Sequence, residues 1–173
     1  HTFLGISSSI ISVSDFIKNS QLRLDDILLP TGIPNLKLAS GAQDVLGMAN
    51  LNIIQQNKLI KAITSLNVDY VLVDLGAGTT SYTLDLFLSA DKGILVTASE
   101  PTSVENTYRF VKSAFYRKLK TVVRHTGVKS FLERITDTKN EENPRTPADL
   151  VTEIYDINTQ AGETLKYELA RFN

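Results

Sequence analysis

The chain has 173 residues, 42% of them hydrophobic, enough for one sizeable core but hardly for two. A formal net charge of -1 supplies no global field to attract nucleic acid, zero cysteines exclude disulfides and thiolate metal sites, and two isolated histidines, His1 and His125, argue against a histidine metal cluster. No apolar run approaches the roughly 18 residues that span a bilayer and no signal-peptide pattern opens the sequence, so the chain is expected to be soluble, with a composition compatible with the cytoplasm.

Taken in order, short β-rich runs alternate with longer helical patterns, the arrangement of parallel strands joined by crossover helices. Leu36 to Ser40 is the first candidate strand. Ile53 to Leu66 then reads as a helix, with Ile53, Ile60, Ile63 and Leu66 recurring at helical spacing. Tyr70-Val71-Leu72-Val73 follows as a strand whose unbroken apolar character suits burial on both faces of a parallel sheet. A helix over Tyr82 to Ser89 leads to a second such strand, Gly93 to Thr97.

The next helix has a capping-box start at Thr102-Ser103-Val104-Glu105, and Val104, Tyr108, Val111, Phe115 and Leu119 are its expected buried face. Thr121 to Arg124 reads as a short strand or as the helix exit. Beyond it the chain is more polar, with a loop at Glu141-Glu142-Asn143-Pro144. Thr146-Pro147 is an N-cap followed by proline at the first helical position, and two helices follow, near Pro147 to Tyr155 and Gln160 to Ala170. The fold class expected from this order is α/β: a three-layer, doubly wound, mainly parallel sheet.

Chemistry concentrates where the strand Val71 to Val73 ends on Asp74 and enters the turn Leu75-Gly76-Ala77-Gly78-Thr79-Thr80. Ligands of open α/β sheets bind beyond the carboxyl ends of strands, so Asp74 stands where a catalytic or metal-orienting acid belongs. Gly76 and Gly78 would let backbone approach a phosphate or change conformation without a Cβ clash. From spacing alone the plainer reading is equally open: a strand-end aspartate capping a turn whose glycines serve only a positive φ.

Asp69 to Gly78 resembles the Walker B and switch II stretch of the MinD/ParA family of P-loop ATPases. Gly93 to Tyr108 is similar to the family strand that ends in Pro-Glu-Pro-Thr-Ser before a helix, with Ala98-Ser99 here in place of the usual Thr-Pro. Thr2 to Ile6 resembles the segment after the switch I aspartate, and Leu36 to Gly41 the strand that follows. The likeness covers roughly Thr2 to Leu119, and within the family it is nearest to the flagellar-number regulators, the FlhG/FleN type, a reading that Ser113 to Leu119 supports.

The resemblance implies an ATP-dependent switch in which two subunits sandwich nucleotide and hydrolysis releases a protein, membrane or DNA partner. Asp74 would hold Mg²⁺ through water, and Gly76, Ala77, Gly78, Glu100 and Pro101 would line the nucleotide site. It implies a cytoplasmic protein, peripheral at the inner face of the membrane in some relatives, that places flagella, the division site or chromosomes. The chain contains no Gly-Lys pair and hence no GxxxxGK[ST] loop.

The family's P-loop is therefore expected before His1, and its adenine-contacting asparagine after Asn173. Residues 1–173 read as one partial domain, cut at both ends, with a more divergent helical part from about residue 126. Such a piece is not expected to hydrolyse ATP alone. The alternative is a non-hydrolysing regulator that keeps the fold and dimer face, and a third reading is an unrelated doubly wound domain with a purely structural Asp74.

Weaker signals take bland readings. Arg109, Lys112, Arg117, Lys118, Lys120 and Arg124 form a solvated helix face more often than a docking patch. His125 has no nucleophile pattern beside it. Asp25-Asp26 and Glu141-Glu142 are read as solubility and capping groups.

Overall fold

The structure, a computed structural model, describes residues 4, 6, 11–41, 51–126 and 146–170, without the side chains at 125, 126, 147, 168 and 169. The chain gathers into two compact units, His1–Asp74 and Leu75–Asn173.

In the first unit, helix α1 (Val13–Lys18) starts where Ser12 donates its backbone N–H and its hydroxyl to Asp15 Oδ2, each at 2.8 Å. Those two hydrogen bonds, the backbone one first, hold the Asp15 carboxyl below its ordinary pKa. A short 3-10 helix, Leu24–Ile27, follows, its start tied by Arg23 N–H to Asp26 Oδ2 at 2.8 Å. Of the Asp25-Asp26 pair, Asp26 thus caps as expected, while Asp25 pairs with the Arg23 guanidinium at 3.1 Å. Strands β1 (Leu29–Pro30) and β2 (Lys37–Leu38) form an antiparallel hairpin with Leu29 opposite Leu38. Helix α2 (Ile53–Thr64) opens on a reciprocal cap between Asn52 and Gln55.

Lys58 of α2 then reaches α1, donating to the Phe16 and Asn19 carbonyls at 2.6 and 2.9 Å while its Nζ stands 4.4 Å from the Phe16 ring centroid. Those carbonyls end α1, where a cation complements the helix dipole. Phe16, Ile17, Leu24, Ile27 and Leu59 are buried in this unit. Of the expected α2 stripe, Ile53 is exposed, and the buried position is Leu59.

The second unit is built from helices α3 (Ser81–Ser89), α4 (Pro101–Thr126), α5 (Pro147–Ile157) and α6 (Thr159–Ala170). Thr146 and Asp149 make the capping box of α5, with Pro147 at the first helical position. α6 follows α5 almost at once, and Asn158 Oδ1 caps it by accepting the Ala161 N–H at 3.0 Å. The core of this unit joins Phe115, Leu119, Val122 and Val123 of α4 to Leu150 and Ile154 of α5 and Ala161 and Leu165 of α6. Helix α4 has 26 residues, which makes it about 39 Å long. Full burial along it begins at Ala114: Val104, Tyr108 and Val111, expected to be buried, are exposed. Thr121 to Arg124 lies inside α4 as regular helix.

The expected three-layer, mainly parallel sheet is not what the structure has. Among the described residues the one sheet is the β1–β2 hairpin, and helices dominate. Tyr70–Val73 and Gly93–Thr97 run without helix, turn or bend, but they are exposed and pair with nothing described. The physical reason is that a strand's hydrogen bonds belong to its neighbours. Apolar, β-branched side chains favour an extended backbone, yet no described segment lies beside these two to complete a ladder. Burial in this chain comes from helix on helix instead. The Glu141–Pro144 loop and most of Thr2 to Ile6 lie outside the described residues, as do His1, Asn173 and the His125 side chain.

Candidate functional site

Asp74, the last residue of the first unit, is exposed, and among the described residues its carboxylate makes no hydrogen bond or ion pair. Gly76, Ala77 and Gly78 open the second unit as an exposed turn. Gly78 has φ +114°, a conformation that side chains with a Cβ rarely adopt, so glycine is required there. A Cβ at Gly76 would meet nothing, so no packing constraint explains that glycine.

The turn passes directly into α3. Thr80 is its N-cap: Oγ1 accepts the Thr83 N–H at 3.2 Å and lies 2.9 Å from Thr83 Oγ1. Glu100 and Pro101 stand at the start of α4, where the Glu100 carbonyl accepts the Val104 N–H at 3.0 Å and Pro101 takes the first helical position. Both are exposed, and no described hydrogen bond joins them to the 76–78 turn. The expected cap at Thr102 does not form. Ser103 Oγ turns back to accept the Ala98 N–H at 3.0 Å, and Glu105 pairs with Arg109 at 2.6 Å.

A link that the sequence did not disclose ties α3 to α4. Arg117 makes a two-pronged pair with Asp85, Nε to Oδ1 at 2.8 Å and Nη2 to Oδ2 at 2.6 Å, and its Nη1 lies 3.3 Å from Ser81 Oγ. The Asp85 hydrogen bond raises the Arg117 pKa further above its already high ordinary value. Beside this pair is an open depression of about 290 Å³ lined by Thr79, Leu84, Ser113, Tyr116, Arg117 and Lys120. Asp85 and Arg117 are 32 positions apart, a separation that no helical or strand period relates. Arg109 and Arg117 of the basic run are thus tied to carboxylates, while Lys112, Lys120 and Arg124 are exposed.

Mg²⁺ prefers oxygen ligands, keeps several waters and needs only one or two protein carboxylates beside substrate phosphates. An exposed, unpaired Asp74 fits that role. No group of three or more His, Asp or Glu side chains among the described residues converges on a common metal position, so further ligands would be water and phosphate. No described helix is long and apolar enough to cross a membrane.

No protein-family model matches the chain. Its likeness is to an antiactivator. The chain is 31% identical over 105 residues to the antiactivator FleN of Pseudomonas aeruginosa, a match covering 58% of this chain. It spans little more than a third of that relative, 36% of its length. The similarity agrees with the resemblance to the FlhG/FleN type for which Ser113 to Leu119 speaks.

Proposed function

We propose that this chain contributes the switch segment of a MinD/ParA-type regulator that uses Mg-ATP to set flagellar number or placement. The observation that carries the reading is the 31% identity to the antiactivator FleN. In this reading Asp74 holds a water of the Mg²⁺, and Gly78 supplies a turn able to change conformation when the terminal phosphate leaves. That change reaches α3 through the Thr80 cap and α4 through the Asp85–Arg117 pair. The phosphate-binding loop is supplied by protein outside residues 1–173, Glu100 and Pro101 border the nucleotide, and two subunits close over it. The regulator acts in the cytoplasm on a protein partner, with contact to the inner membrane face or DNA as a further property of the whole protein.

Calorimetry of ATP binding to the intact protein tests the role of Asp74. With Mg²⁺ present, Asp74→Ala should weaken binding by about 10–100-fold, the usual effect of losing a group that orients a metal's ligands. Without Mg²⁺ the two proteins should bind alike. Equal Mg-ATP affinities would reduce Asp74 to a turn residue.

A further inference from the structure

Helix α4 turns different faces to different neighbours. Phe115 and Leu119 are buried with α5 and α6, while Arg117, two residues from each, stands on the opposite side of the helix and reaches α3. There its planar guanidinium holds α3 at three points: Nε on Asp85 Oδ1 at 2.8 Å, Nη2 on Asp85 Oδ2 at 2.6 Å, and Nη1 3.3 Å from Ser81 Oγ. Ser81 and Asp85 are four residues apart and so share one face at the start of α3. Near the other end of α3, Phe87 stands edge-on against Phe110 of α4 at 4.9 Å, and two separated contacts keep the helix from pivoting about either.

The residues just before α3 have no such support. Among the described residues no hydrogen bond holds residues 75–79, a Cβ at Gly76 would meet nothing, and Gly78 has a positive φ. Order resumes at Thr80, whose carbonyl accepts the Leu84 N–H at 3.0 Å and whose Oγ1 accepts the Thr83 N–H at 3.2 Å. Thr80 is where a turn with few constraints meets an anchored helix, and the anchor runs through Arg117 to the core of α4, α5 and α6.

We propose that Arg117 is a positioning residue for the switch turn: its grip on Ser81 and Asp85 fixes the helical end to which residues 76–79 are attached. What the turn does for a nucleotide rests on the Mg-ATP reading; the grip itself does not. The two partners are 36 and 30% exposed, and a pair so open to water adds little to overall stability. Its effect is geometric. Lysine at this position would keep the charge but not the planar fork, offering one point of attachment where Arg117 offers three.

Hydrogen exchange of the intact protein, free of ATP and Mg²⁺, reads the grip at the Thr83 and Leu84 amides. Arg117→Lys and Asp85→Asn should each speed both amides by about tenfold, the low end for hydrogen bonds to charged groups because this pair is partly exposed. The double variant should exchange no faster than either single one, since each change already breaks the same link. Amides of α5 and α6 should keep their wild-type rates, and so should Thr83 and Leu84 in Lys120→Met, which removes a neighbouring cation outside the pair. With Mg-ATP, Arg117→Lys should lower kcat by about tenfold and leave KM within about twofold, because the phosphate-binding loop is untouched. Wild-type exchange at Thr83 and Leu84 in Arg117→Lys, additive effects in the double variant, equal acceleration throughout the second unit, or an unchanged kcat would overturn the proposal. If wild-type protein binds no Mg-ATP, the nucleotide reading falls and the exchange rates still decide the grip.

Discussion

Gly162→Val should lower the stability of the second unit by about 3 kcal/mol or more, the upper end of what forced overpacking costs. Gly162 is buried in α6 against α5. A Cβ there would stand 2.7 Å from Tyr155 Cα and 2.8 Å from Tyr155 Cβ. Atoms on or next to the backbone cannot rotate aside, so the helices themselves would have to separate, and the Leu150, Ile154, Ala161 and Leu165 contacts would open with them. Gly162→Ala decides between two effects of opposite sign. Helix propensity alone favours alanine by about 0.5–1 kcal/mol, whereas the close approach disfavours it by about 1–3 kcal/mol. The structure therefore predicts net destabilisation by alanine in urea unfolding followed by circular dichroism, and a gain in stability would refute the close packing of α5 on α6.

Leu165→Ala is the second large effect. Leu165 is fully buried where α4, α5 and α6 meet, among Phe115, Leu119, Val123, Leu150 and Ile154. Removing a buried leucine loses its transfer free energy and leaves a cavity, together about 2–5 kcal/mol. For a unit of this size each kcal/mol lowers the melting temperature by about 4–8 °C, so a fall of at least about 8 °C is expected. Tyr167, two residues on in the same helix, is 70% exposed, and Tyr167→Ala should change stability by no more than about 0.5 kcal/mol. Equal melting shifts for the two variants would show that α6 does not bury the face described.

The helices of this chain were legible because their signals are local. Thr146-Pro147 marks the start of α5 by a side-chain cap and a fixed φ, and both act within one turn. The helix expected from Tyr82 to Ser89 forms as Ser81–Ser89 for the same reason. Local signals also competed with one another. At Thr102 to Glu105 the capping spacing is present, yet Pro101 begins the helix earlier, so Ser103 and Glu105 find other partners.

Strand assignment failed where partnership is non-local. Tyr70–Val73 and Gly93–Thr97 have the side chains of buried strands, but periodicity does not say whether a neighbour stands within hydrogen-bonding distance. The α4 stripe from Val104 to Leu119 is continuous in sequence, while burial along it starts only at Ala114, where α5 and α6 reach the helix. The candidate site divides in the same way. The turn at Asp74 to Gly78 and its positive φ were visible in the glycine spacing, whereas the Asp85–Arg117 pair connects two helices that only the folded chain brings together.

The regulatory reading is tested most directly by electron-microscopic counts of flagella per cell in the source organism, comparing wild type with an in-frame deletion of the gene. If the chain restrains flagellar assembly as proposed, deletion should give more flagella per cell, or misplaced ones, with recovery when the unmodified gene is returned. Unchanged number and placement would contradict it.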